Sequence, residues 1–600
     1  MSTIDATKPV SGSPTTASVR DNFSAAKTEL EAFQLSSGSS LVGFIQSGAG
    51  AGARTMQAKE RDIVSIKDFK NNDGTQVIGN DVQDEATGFQ AAHDALPASG
   101  GAIYLSQTGS KYLINTKVTI TKPVHFFGDG WSSVVRTSST AITAIFEINA
   151  GGNGSIFQTF RIEGGKSASG GTVQRGIYFN GAKDGLVQHV NFSGPNSTTG
   201  LNIGVDINGV SSGRTKVLYN RFERMVSSTG NGTAVVIELS NFNHVIGNVV
   251  DGTEFNNADG GPGAAISLTA AIGGVGSVDN VIAYNRVHDH KQVGIGMNST
   301  TYFEFAGNLG ACDRNLIAFN DVYNSSSVNG GDASSGIHIA GNSNDNRIVG
   351  NKVHHNGHAT AGGYGIVVSG SAQGTANPGQ PKLDESPTRN EVLDNDVYLN
   401  KDQGIWIKGA NSSIVRGNRV YENGQRTANT FQNMRITRVG GTVTGNNSMF
   451  VDNICLGTQP IRQLEIEAGI SNVVVMGNYL PNGGTDAIAG GDATTQFGWN
   501  HIAGKQTLGG VAAALVGLTG MITSTTTYDP PNLLNGTQVT ATMGLTGAAL
   551  GDIVAASFSL SLQSIQITAY VSSVDSVTVV FKNDTGGAFD LASGTIRARI

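Results

Sequence analysis

The chain has 600 residues, 39 basic and 46 acidic, for a formal charge of −7, and charged residues make up only 14% of it. That balance, without long runs of either sign, excludes an electrostatic nucleic-acid binder. No apolar run of about 18 residues and no charged-then-apolar leader at Met1 can be found, so neither membrane insertion nor a secretory leader is expected.

Residues 1–53 are small and polar apart from one periodic segment. A helix can start at Thr16 or Ser18, and Val19, Phe23, Ala26, Leu30 and Phe33 then step by alternating fours and threes. This is a coiled-coil seam about two heptads long, which needs an oligomer or a docking partner to hold; a single amphipathic surface helix is the alternative. From Gln34 to Ala53 the Gly, Ser and Ala content reads as a linker.

A new unit opens with Arg54-Thr55-Met56-Gln57, Lys59 to Phe69 and Asn72-Asp73-Gly74. It continues through an amphipathic helix near Asp84 to Leu96, then Gly100 to Leu105 and Tyr112-Leu113-Ile114. Val82, Phe89 and Leu96 fall on one face of that helix beside Ala86 and Ala92, and Pro97 ends it. This succession resembles the head of the pectate-lyase-like β-helix of bacteriophage tailspikes and capsule depolymerases, in which the helix caps the open end of a solenoid.

From Gly176 to Asn478 one phrase recurs: Gly-Ile-x-Ile, a loop, then apolar-x-x-Asn-x-Val. Its first half starts at Gly176, Gly204, Ala234, Ala265, Gly294, Gly336, Gly365, Gly404, Met434 and Leu464, a period of about thirty residues with two insertions. Each phrase alternates apolar and polar positions as strands do, and no segment between them suits a helix. A parallel β-helix is the architecture left, with Gly and turn residues explaining 82 glycines. Ile177, Val205, Val235, Ile266, Ile295, Ile337, Ile366 and Ile405 are expected to stack inward. Asn220, 248, 285, 320, 351, 395, 418, 453 and 478 are expected to form a ladder at a turn, bonded coil to coil and tolerating left-handed backbone. Cys455 falls at an inward position, and neither it nor Cys312 has disulfide or metal spacing.

After Gly504 the strands become Thr/Val/Ser-rich: Thr523–Tyr528, Gln538–Met543, Asp552–Leu562, Ile565–Val571, Ser576–Phe581 and Gly594–Ile600, with Asn583 to Gly587 as a hairpin turn. These predict a β-sandwich. Gly551-Asp552-Ile553-Val554 and Val577 to Asn583 also resemble the terminal domain of phage spikes. The predicted fold class is therefore all-β: a right-handed parallel β-helix with an N-terminal capping helix and a C-terminal β-sandwich. The predicted division is a virion-attachment segment and linker at 1–53, the capped solenoid at 54–505 and a trimerisation domain at 506–600.

The resemblance implies a homotrimer in the phage virion. Such a spike is made in the bacterial cytoplasm, fixed by its N-terminus to a tail or baseplate protein, and acts at the host surface on a capsule or O-antigen polysaccharide. No cofactor is expected. Hydrolysis of a glycosidic bond needs two carboxyl groups. Asp206 and Glu238, outward on adjacent coils and offset by two residues, are the candidate catalytic pair; surface acids are the alternative. The insertions 298–314 and 369–389 leave one bare coil between them, a cleft with His338 on its floor and Tyr302, Glu304, Asp313, Asp384 and Glu385 as possible walls. Trp406 with Lys408 could stack on and bond a sugar ring. Glu465 and Glu467 share a face without a sugar platform. A lyase using Lys408 or Arg435 as base, and a non-catalytic receptor-binding spike, are the competing readings. His288-Asp289-His290 and His354, His355 and His358 lack convincing ligand spacing, so no metal is assigned.

Overall fold

The computed structural model describes residues 15–35, 37–60, 62–167, 173–196, 199–209, 213–227, 232–252, 256–257, 264–270, 276–299, 311–325, 334–357, 362–370, 386–439, 444–481, 486–502, 506–507 and 523–600. Three long parallel sheets dominate. One of 14 strands carries the Gly-Ile-x-Ile phrases and is called sheet I; one of 15 strands follows it in each coil (sheet II), and one of 14 strands completes the coil (sheet III). This is a right-handed parallel β-helix.

Sheet I keeps strict register. Ile177, Val205, Val235, Ile266, Ile295, Ile337, Ile366 and Ile405 are successive partners, and every one is fully buried. Alternation puts the intervening side chains on the outer face, where two columns form. One runs Tyr178, Asp206, Val236, Ser267, Gly296, His338, Val367, Trp406, Arg435, Glu465. Two residues along the strand runs the other, through Asn208, Glu238, Thr269, Ala340, Ser369, Lys408 and Thr437.

The asparagine ladder stands between sheets II and III. Asn220 donates its N–H (2.9 Å) and its Nδ2 (3.0 Å) to Oδ1 of Asn248, and Nδ2 also reaches the Val187 carbonyl, so one amide satisfies backbone groups of its neighbouring coils. The pattern continues to Asn500. The left-handed residue is not the asparagine but the one before it: Tyr219 (φ 53), Gly247 (φ 69), Tyr284 (φ 56) and Phe319 (φ 55). Two further ladders emerge, Asn243-Asn280-Asn315-Asn346-Asn390 between sheets I and II, and Asn356-Asn400-Asn423-Asn433 between III and I.

The helix Ala86–Asp94 closes the N-terminal end. Phe89 is fully buried and meets Tyr112 edge-on at 5.5 Å, while Gln90 both donates to the Thr119 carbonyl (3.0 Å) and accepts its N–H (2.8 Å), acting as a neighbouring strand would. Val82 does not share that face: it precedes the helix and is 80% exposed, because the helix starts only at Ala86. Toward the N-terminus a second helix, Thr16–Gln34, is capped by Thr15, whose Oγ1 accepts the Ser18 N–H at 3.1 Å.

Residues 523–600 form two three-stranded antiparallel sheets around Met543, Val577, Val579, Phe581 and Ile596. Asn583 to Gly587 is a turn, with Asn583 Oδ1 accepting the Thr585 N–H at 2.9 Å. It is not a hairpin, since Ser576–Lys582 and Gly594–Arg599 lie in different sheets. Cys312 and Cys455 are buried free thiols.

Candidate functional site

The outer face of sheet I gathers the candidate residues. Asp206 pairs in register with Val236, and Asn208 with Glu238, so the two carboxyl groups stand one coil and two residues apart. Their Cα atoms are then about 8 Å apart. Both side chains leave the same face.

Asp206 is only 1% exposed, because Arg175 of the preceding coil folds over it and makes an ion pair through Nε, with the guanidinium resting 4.6 Å from the Tyr178 ring centroid. Burial pushes the Asp206 carboxyl up, against the opposing pull of Arg175. Its second oxygen, Oδ1, is buried without a hydrogen-bond partner among the described residues. Glu238 is half-buried and accepts 2.6 Å from Asn208 Nδ2, with no cationic partner among the described residues. Burial and then the charge of Asp206 raise its pKa. On the other side of this cluster Glu147, 9% exposed, is paired with Lys117 and accepts from Asn180 Nδ2 at 2.9 Å.

Other acids of this face are neutralised locally. Glu465 meets Arg462 at 2.9 Å and Arg435 at 3.3 Å, and Glu467 meets Arg438 at 3.7 Å. Asp313 is half-buried in the turn to sheet II, where it accepts the Asn344 N–H at 2.7 Å; burial raises it. Tyr302, Glu304, Asp384 and Glu385 lie outside the described residues.

Trp406 is not the exposed platform that the alternation suggests. It is 9% exposed, its Nε1 donates to Thr437 Oγ1 at 2.9 Å, and Tyr364 packs 5.0 Å from its ring. Lys408, half-buried, lies over the indole at 4.9 Å and Arg435 at 5.9 Å, so cations and Tyr364 cover what the strand pattern left outward. His338 is 7% exposed and its Nε2 lies 2.7 Å from Ser369 Oγ. The remaining histidines go elsewhere. His288 and His354 join Tyr323, Tyr398 and Tyr421 in one stack on the outside of sheet III, with spacings of 4.7 to 5.1 Å. His290 is fully buried and bonds the Gly232 carbonyl at 3.0 Å, and His358 lies outside the described residues.

Sequence reasoning missed Arg175, and it placed Tyr178 and Ser369 outward without assigning either a role. Arg175 was visible: it precedes Gly176, and the next phrase carries an acid in its third position.

With that geometry in place, comparison with solved structures is informative. A single-site variant of the tailspike protein of E. coli bacteriophage HK620, in complex with a pentasaccharide, matches with a TM-score of 0.57 at 13% identity, covering 96% of this chain and 99% of that chain. A second single-site variant of the same tailspike, also with a pentasaccharide, gives 0.52 at 12% identity over the same shares. The fold is that of a phage tailspike. No protein-family model matches the chain, and no curated protein does. The tailspike likeness therefore rests on architecture shared along nearly the whole chain, and the two HK620 complexes show that architecture holding an oligosaccharide in that protein.

Proposed function

We propose that this chain is a trimeric phage tailspike that binds a bacterial surface polysaccharide and cleaves it internally by hydrolysis. The carrying observation is the contrast between two neighbouring carboxyl groups. Asp206 is ion-paired with Arg175, whereas Glu238 makes no ion pair among the described residues; burial and the Asp206 charge raise it, and Arg175 opposes them only at a distance. Both carboxyl groups are pushed up by burial, so the pair favours a state that holds one shared proton; the ion pair with Arg175 is what favours leaving Asp206 the charged member.

Glu238 is then the general acid that protonates the departing glycosidic oxygen. Asp206 is assigned the base that takes the proton of the attacking water, and substrate must displace the Arg175 cover for that water to reach it. A Cα spacing of about 8 Å allows the two carboxyl groups to flank one glycosidic bond, as two-carboxylate hydrolysis requires. Arg435 suits a lyase base poorly, because it is engaged by Glu465 at 3.3 Å and lies over the Trp406 ring. Attachment to the tail falls to residues 1–53, trimer assembly to residues 506–600 and the N-terminal helix, and action to the host surface.

The test is incubation with host surface polysaccharide and mass spectrometry of the products. Fragments one water heavier than whole multiples of the repeat support hydrolysis. Fragments equal to whole multiples with an unsaturated end point to elimination, and intact polymer with measurable binding makes the protein a non-catalytic spike.

A further inference from the structure

Three coils beyond Glu238, about 14 Å along the same face, stands a different kind of chemistry. His338 and Ser369 lie on adjacent strands, Ser335–Ala340 and Tyr364–Ser369, and Ser369 pairs in register with Ala340. The imidazole therefore reaches diagonally to the hydroxyl, with Nε2 and Oγ 2.7 Å apart. At 7% and 5% exposure both groups are shielded, so the bond is not competed away by water. With Nδ1 carrying the imidazole proton, the hydroxyl donates to Nε2, which is how an imidazole activates a serine as a nucleophile.

The neighbours suit an acyl group. Gly296 precedes His338 in its column and Ala340 precedes Ser369, so the register partners on that side are small, with the Ala264 and Val293 side chains lying over Gly296. On the other side Lys408 pairs in register with Ser369, its ammonium held over the Trp406 ring at 4.9 Å. This places a cation one coil away from the nucleophile, on the face where an oxyanion would form. A serine bonded to a histidine with a cation beside it has no part in the two-carboxylate reaction.

We propose that Ser369 and His338 form a second catalytic centre, a carboxylic esterase, whose substrate is an O-acyl ester; its identification with acyl groups on a glycan rests on the polysaccharide reading above. Ser369 Oγ attacks the ester carbonyl while its proton passes to His338 Nε2. The C–O bond to the alcohol breaks, the alcohol leaves with that proton, and a water molecule, deprotonated by the same imidazole, hydrolyses the acyl-serine to free acid. No oxidant, metal or co-reactant is needed. One extended glycan lying along sheet I could meet both centres, so deacylation and chain cleavage would act on the same bound strand.

The experiment uses the full chain and a small activated ester, p-nitrophenyl acetate, so its outcome does not depend on any glycan. Turnover above the buffer rate is expected, with at least a 100-fold loss in Ser369→Ala. In parallel, the unaltered protein is treated with an alkyl fluorophosphonate and digested, and the adduct is located by mass spectrometry. A phosphonyl group on Ser369, formed far more slowly in His338→Gln, supports the centre even if the alanine variant fails to fold. Equal ester turnover in folded Ser369→Ala, or no adduct on Ser369 in the unaltered protein, overturns the proposal and leaves the serine as a prop for His338. Ester turnover without polysaccharide cleavage would retain this centre while removing the glycosidase.

Discussion

Arg175 and Asp206 form an ion pair across neighbouring coils in which the carboxylate is 1% exposed and keeps one oxygen unbonded among the described residues. A buried, half-satisfied carboxylate costs stability rather than adding it. Such a cost is retained where the group has chemical work. Glu238→Gln and Asp206→Asn are each expected to lower chain cleavage by about 10² to 10⁴. Binding of the intact polysaccharide, followed by tryptophan fluorescence or calorimetry, should persist in both. Undiminished cleavage in Glu238→Gln would remove it from the acid role.

The same pair gives a pH prediction. Arg175 is what opposes the upward push of burial on Asp206. Replacing it with Gln leaves that push unopposed, so Asp206 holds its proton to higher pH and serves as a base only above it. The acid limb of kcat/KM against pH should move to higher pH in Arg175→Gln. An unmoved limb would mean that another group sets it.

Stability should respond to Glu238 with a definite sign. Its folded pKa is raised, so over the interval between the unfolded glutamate value and the folded one the folded chain holds a proton that the unfolded chain has lost. Stability is thus greatest below the unfolded value, falls as pH rises through that interval, and stays reduced above it. Glu238→Gln should melt at a higher temperature than the parent at pH 7, with the gap closing as pH drops below about 4. A variant less stable than its parent at pH 7 would show that the Asn208 contact outweighs the buried charge.

The solenoid was legible in sequence because its physics is periodic. Side chains at Ile177, Val205 and their successors can face only inward if the repeat is a coil, and an asparagine at a fixed place in each repeat has a ladder as its natural use. The two other ladders were harder to see, since Asn356, Asn400, Asn423 and Asn433 are separated by loops of changing length. The site was legible as columns but not as contacts. Alternation put Trp406 and Asp206 outward; it could not show that Tyr364 would cover one and Arg175 the other, because each covering residue stands two before an inward residue, Ile366 and Ile177, and alternation assigns it to the inner face. The wall residues Tyr302 and Glu304 belong to insertions that no repeat constrains.

The ladder makes its own prediction. Asn351 is 1% exposed; its Oδ1 accepts from Asn320 N and Nδ2, both at 2.9 Å, and its Nδ2 donates to Ile317 O (2.9 Å) and Asn395 Oδ1 (3.0 Å). Asn351→Ala strands a buried backbone N–H and a carbonyl at roughly 1–3 kcal/mol each. Local opening near residues 317–353 should be visible as faster amide exchange there, before any change in the C-terminal sheets. Uniform exchange along the whole solenoid would argue that the coils unfold as one unit.

The N-terminal helix is the place where one chain looks incomplete. Thr16–Gln34 buries none of its residues, and Phe23, Leu30 and Phe33 are 72%, 64% and 52% exposed. A nineteen-residue helix is marginal alone in water, and an apolar stripe along it calls for a partner. A three-chain coiled coil would bury that stripe against its own copies at the a and d positions. Replacing Phe23 and Leu30 together by Ser should therefore lower helicity in the intact protein and free the first residues to protease. Light scattering then separates two cases. If the C-terminal sheets also hold the assembly, the double variant stays trimeric with a frayed N-terminus; if the helix is the main clamp, it becomes a monomer. Unchanged protease resistance together with unchanged helicity would mean that the stripe meets no second copy and waits instead for a tail protein.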